Sequence, residues 1–92
     1  MIRSFRDRDT EKLFDRVASR QWAGIARVAL RKLRMLHRAY ALTDLTAPPN
    51  NRPEKLKGDR DGQYSIRVND QYRICFRWEN GDSFDVELTD YH

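Results

Sequence analysis

A set of side chains able to move protons and bind phosphate stands toward the end of the chain. Asp90, Tyr91 and His92 follow one another: a carboxylate, a phenol and an imidazole. The first and last can move protons near neutral pH, and the phenol can stack or hydrogen-bond. Arg67 and Arg73 stand upstream in alternating runs, and Lys57 opens a charged turn. This inventory suits metal-free RNA cleavage. A base takes the 2′-hydroxyl proton, that oxygen attacks the adjacent phosphorus, cations stabilise the phosphate oxygens, and an acid protonates the leaving 5′-oxygen. His92 and Asp90 suit proton transfer, Arg73, Arg67 and Lys57 suit the phosphate, and Tyr91 can stack on a base. The plainer alternative is that a terminal histidine is only a frayed end.

Other chemistries find less support. His37 has no second ligand at metal-binding spacing, and no Cys/His/Asp cluster offers a metal site. Gly58 and Gly62 are too few for a nucleotide-binding loop. No cofactor is expected. Ninety-two residues suffice for one domain, residues 1–92, with one modest core. The net charge of +4 suits a polyanion partner, and equally a soluble surface. The single cysteine, Cys75, excludes an internal disulfide. No apolar run reaches membrane-spanning length, so a cytoplasmic protein with no membrane partner is expected.

The elements that must position these residues are readable from hydrophobic period. Met1–Phe5 could be a short strand. Asp9 or Thr10 reads as the cap of a first helix whose apolar face is Leu13, Phe14 and Val17, stopping near Ser19–Gln21. Trp22, Ile25, Ala26, Ala29, Leu33, Leu36 and Tyr40 form the apolar stripe of a second, longer helix. Its Arg27, Arg31, Arg34 and Arg38 form either a solvated face or contacts to a large RNA. A proline-containing loop follows, anchored by Leu42 and Leu45, then a short edge strand at Pro53–Leu56.

From Tyr64 the period is two. Three runs, from Tyr64, Tyr72 and Phe84, have one apolar and one polar face, as in an antiparallel sheet with helices on one side. A three-residue turn, Asn69–Gln71, keeps the first two apolar rows in phase. Arg67 then opposes Arg73, and the like-charge cost would be offset by a bound anion. The second turn needs either a loop of Asn80–Asp82 or a bulge. That register sets Arg77 opposite Asp85, Cys75 opposite Glu87, Arg73 opposite Thr89 and Gln71 opposite Tyr91, and gives Asp90 core parity.

The run Ser65–Trp78, the segment Asn51–Arg60 and the ending Asp90-Tyr91-His92 together resemble the HigB-type toxins of the RelE/ParE-like superfamily. The resemblance covers the whole chain. It implies an α+β RelE-like, or microbial-ribonuclease-like, fold: two N-terminal helices on a small, mostly antiparallel twisted sheet. It implies a ribosome-dependent endoribonuclease that cuts mRNA in the A site. It also implies a cognate HigA-type helix-turn-helix antitoxin, with operator DNA contacted indirectly through the complex. Lys57, Arg73, Asp90, Tyr91 and His92 match positions of catalysis or substrate positioning; Arg67, Lys55 and Arg60 are the RNA-binding candidates. Some similar toxins have a histidine just before Leu56-Lys57-Gly58; here the corresponding stretch is Pro53-Glu54-Lys55, with Glu54 the candidate for that place. Acid and base therefore stay unassigned between His92 and Asp90. Two other readings remain: a ParE-type toxin acting on DNA gyrase, and a non-catalytic RNA-binding module.

Overall fold

The computed structural model describes residues 1–17 and 20–90. Four strands lie antiparallel in chain order: β1 (Glu54–Lys55), β2 (Gln63–Arg67), β3 (Tyr72–Glu79) and β4 (Asp82–Asp90). Two helices, α1 (Arg8–Phe14) and α2 (Ala26–Arg38), form the other layer. The expected α+β architecture is present, with helices on one side of the sheet.

Helix α1 is capped by Asp7, earlier than either residue expected. Asp7 is extended, and its carboxylate accepts from the Thr10 N–H at 3.0 Å and the Thr10 hydroxyl at 2.7 Å. The Thr10 oxygen in turn accepts from the Leu88 N–H at 3.0 Å, joining α1 to β4. The helix ends sooner than Ser19–Gln21. Arg16 turns left-handed, φ 65°, and the Arg16 and Val17 N–H groups fold back to Leu13 and Lys12 carbonyls. Trp22 belongs to a separate short 3₁₀ turn, still buried, with its ring edge-on to Tyr72. Helix α2 buries Ala29, Lys32, Leu33 and Leu36. Tyr40 lies beyond its end and is exposed, so it leaves the expected stripe.

The core fills the space between the layers. Ile66, Ile74, Phe76, Val86 and Leu88 of the sheet meet Leu13, Trp22, Ala29, Leu33 and Leu36 of the helical layer. The β2–β3 turn has the expected phase: the Val68 N–H donates to the Tyr72 carbonyl, and Ile66 opposes Ile74. The Asn69 side chain closes the turn by accepting from the Gln71 and Tyr72 N–H groups.

The β3–β4 connection takes the bulge. Asn80 and Gly81 both have positive φ, 50° and 84°, as a tight two-residue hairpin requires. Trp78 then opposes Ser83, and Arg77 opposes Phe84 instead of Asp85. The register shifts between Arg77 and Cys75, around left-handed Asp85. Beyond it, Cys75 opposes Glu87 and Arg73 opposes Thr89, as the phase requires. Two assignments change. Buried Ser83 shares the helix-facing side with Trp78, while Phe84 turns to the other face, beneath the Arg77 guanidinium. Arg77 still binds Asp85, at 2.8 Å. The N-terminal stretch runs parallel to β4 through bridges at Ile2–Ser83 and Phe5–Val86, covering that strand's edge.

The Thr10 hydroxyl both donates and accepts at a fully buried position. Thr10→Val keeps the shape and removes both bonds. It should lower unfolding free energy by about 2–3 kcal/mol, because the buried Leu88 N–H is left without its acceptor and the part-buried Asp7 loses a donor. Thr10→Ser should cost about 1 kcal/mol or less. Urea denaturation of both variants measures the difference.

Candidate active site

The face of the sheet away from the helices carries two cross-strand rows of polar and charged residues. One runs Glu54, Ser65, Cys75, Glu87 across all four strands; the next runs Arg67, Arg73, Thr89. Ser65 and Cys75 are fully buried, giving this face a floor of small side chains.

Arg73 is buried to 9% exposure and held by three segments. Its Nε donates to Ser65 Oγ at 2.7 Å. Its Nη2 donates to the Arg52 carbonyl and, at 3.3 Å, to the Ser65 carbonyl. Its Nη1 lies 3.9 Å from the half-exposed Glu54 carboxylate. The guanidinium is thus fixed mostly by neutral acceptors, with one edge toward an ionic partner. The edge carrying Nη1, toward Glu54, is the one that no neutral acceptor takes.

Arg67 does oppose Arg73. Each has a partner within the protein that eases their repulsion. Arg73 turns toward β1, while Arg67 Nη2 binds Asp70 in the turn.

The other candidates are more dispersed. Arg60 is half-buried, donating to Gln63 Oε1 at 3.1 Å and pairing with Glu87 at 3.0 Å; Arg6 approaches the same carboxylate at 3.8 Å. Lys57 is exposed beside that turn and forms no ion pair among the described residues. Lys55 opposes Tyr64, which puts it on the opposite face from Ser65 and Arg73. Asp90 is exposed, opposes Tyr72 as its expected parity requires, and accepts from Gln71 Nε2 at 3.0 Å. Tyr91 and His92, and with them the Gln71–Tyr91 pairing, lie outside the described residues.

The face therefore joins Arg73 with Arg67 and adds three groups not chosen beforehand: Glu54, Ser65 and the Arg52 carbonyl. Glu54 was marked only by its place before Leu56-Lys57-Gly58. Ser65 had the right parity, but nothing in its type announced an arginine partner. A backbone carbonyl leaves no signal in sequence. Burial pushes the Cys75 thiol above its ordinary range; nearby Arg60, Arg73 and Arg6 pull the other way, and Glu87 adds to the rise. A protonated thiol in that floor is packing, not a nucleophile.

Residues 3–92 match a family described as HigB-like toxin, a RelE-like toxin of type II toxin-antitoxin system HigB. Toxin HigB-1 of Vibrio cholerae is 44% identical over 66 residues, 72% of this chain and 70% of that protein. Endoribonuclease HigB of Proteus vulgaris is 49% identical over 37 residues, 40% of each chain. Among solved structures, a YoeB–YefM complex from Staphylococcus aureus superposes with TM-score 0.60 at 17% identity, covering 100% of this chain and 98% of that one. A YoeB/ParE toxin from Agrobacterium tumefaciens gives TM-score 0.60 at 20% identity, covering 99% and 98%. These two show a shared fold.

The buried thiol makes a simple expectation. Native Cys75 should react with a thiol reagent at pH 8 about a thousandfold or more slower than the urea-unfolded chain, since reaction needs opening. The raised thiol also ties stability to pH. The native chain keeps a proton that the unfolded chain releases through the ordinary thiol range, so this group's contribution falls as pH rises there. A Cys75→Ala variant should show a smaller decline in alkaline denaturation midpoints.

Proposed function

Because the chain belongs to the HigB-like family of RelE-like toxins of type II toxin-antitoxin systems, we propose that it is an endoribonuclease that cuts mRNA in the ribosomal A site. The observation that carries this reading is Arg73: a buried guanidinium fixed by Ser65 and Arg52, with a carboxylate at its remaining edge. A phosphodiester docked there has its developing charge met by a preorganised cation.

The chemistry is attack of the 2′-hydroxyl on the adjacent phosphorus, with no metal. The hydroxyl loses its proton to a carboxylate or imidazole, the P–O5′ bond breaks, and the departing oxygen takes a proton from an acid. Glu54, 3.9 Å from Arg73, is one carboxylate in reach of a phosphate bound there, and Asp90 ends β4. His92 completes the proton transfer in this scheme, Tyr91 stacks on a base, and Lys57 adds charge at the phosphate. Arg67 lies beside the site as a strand contact. Lys55 and Arg60 serve RNA less directly, one from the opposite face and the other bound to Glu87. The ribosome presents the message in a fixed geometry, supplying alignment that a small basic face alone lacks. A cognate HigA-type antitoxin neutralises the toxin, and the pair meets operator DNA through the antitoxin. The setting is the cytoplasm.

Mapping transcript 5′ ends after induction in cells tests this. Wild type should cut translated messages at codon positions. Arg73→Ala should lower cleavage by about 10²–10³-fold, the usual loss for a preorganised charge-stabilising donor. Removing His92 should abolish growth inhibition in a folded protein. Intact transcripts with inhibited DNA supercoiling would replace this reading with the gyrase one.

A further inference from the structure

Next to the Arg67–Arg73 row lies positive charge that the cleavage chemistry leaves unused. A cavity of about 410 Å³ opens between the Pro49–Asn51 turn and the β2–β3 turn, lined by Pro49, Asn50, Arg52, Arg67 and Asp70. Lys32 of α2 comes up behind it, 2% exposed. Its Nζ donates to Asn51 Oδ1 and, at 3.4 Å, to Asn50 Oδ1, so one wall residue of the cavity is shared with a buried cation.

The charge balance around this cavity is uneven. Lys32 has no carboxylate partner among the described residues; only neutral amide oxygens meet it. Burial first, then Arg31 and Arg67, hold its ammonium below the ordinary lysine range. Neutral acceptors leave the ammonium's field uncancelled. Arg52 is exposed and forms no ion pair among the described residues. The single acid in the wall is Asp70, fully exposed and held by Arg67.

The cavity also has a definite relation to Arg73. Arg73 donates to the Arg52 carbonyl, and Arg67 is its cross-strand neighbour. The two positions therefore share Arg52 and the Arg67–Arg73 pairing, and lie next to one another on the surface. We propose that this cavity is a phosphate subsite for single-stranded RNA, holding the phosphodiester next to the one at Arg73. Arg52 and Arg67 donate to its oxygens, Asp70 yields Arg67 to it, and Lys32 supplies fixed charge through the Asn50 wall. The subsite rests on the RNA-cleaving reading and adds the strand's second point of attachment.

The test measures binding of the full chain to a ten-nucleotide 2′-O-methyl RNA, which cannot be cut, between 50 and 200 mM salt, alongside cleavage in cells. Arg52→Ala and Arg67→Ala should each weaken binding by about tenfold, and should lower the slope of log affinity against log salt by about 0.7, the value for one lost phosphate contact. Asn50→Asp gives Lys32 a carboxylate. It should weaken RNA binding similarly while leaving the urea midpoint unchanged or raised, a split that a merely misfolded variant would not give. Unchanged affinity and slope in Arg52→Ala and Asn50→Asp would overturn the subsite. So would inorganic phosphate binding that Arg52→Ala abolishes without moving the RNA slope, which marks a small-anion site. Absence of decamer binding by wild type overturns it as well. If the subsite alone fails, wild-type transcripts are still cut; if the cleaving reading fails, they stay intact whatever the slopes.

Discussion

A guanidinium withdrawn from water must keep acceptors for its N–H groups, and the non-helical face of this sheet is arranged to meet that demand. Arg73 satisfies it through Ser65 on the neighbouring strand and the Arg52 carbonyl in the loop before β1. Both acceptors are neutral. Had the protein used a buried carboxylate, the charge would have been spent internally, and a phosphate would have had to displace it. With neutral acceptors the orientation is fixed, and the one carboxylate paired with it, Glu54 at 3.9 Å, is half exposed. Ser65 and Cys75, both small and fully buried, leave room on this face for the arginine to be buried to 9% exposure.

How far this could be read from sequence depended on whether the deciding contacts were local. The β2–β3 register followed from phase, since Val68 and Tyr72 must both face the helices. The β3–β4 turn left two solutions with the same downstream register. The positive-φ preference of Asn80-Gly81 selects the bulge, and Phe84 goes to the outer face as a result. An aromatic in an alternating run reads as core, so its position under Arg77 had no signal. The cap at Asp7 was missed because Thr10 is a good cap type, and its hydroxyl serves a strand seventy-eight positions away. The candidate site divides in the same way. The Arg67–Arg73 pairing was legible, whereas the acceptors that hold Arg73 come from a loop carbonyl and an inconspicuous serine.

Lys32 shows the limit from another side. Its spacing places it among Ala29, Leu33 and Leu36 on the buried side of α2, yet its charge argued for exposure. Burial became possible because Asn50 and Asn51 lie in a turn that returns over the helix. Asn51 also donates to the Leu45 and Ala47 carbonyls, so the lysine, the loop and the Arg52 carbonyl are stitched into one unit. The loop following α2 is thereby a rigid part of the site's frame, carrying one of the acceptors that orient Arg73.

The Thr10 hydroxyl carries a mechanical implication. It is shared between the cap of α1 and the amide of Leu88, two residues before Asp90. Helix and strand are coupled through one atom: unwinding the cap takes away the acceptor of the Leu88 amide. Disturbance of the helical layer, remote from the arginine face, is therefore felt at the strand that delivers the acidic end of the chain. The two layers are joined at this one buried hydroxyl, so a change in the helical cap also changes what holds the strand's Leu88 amide.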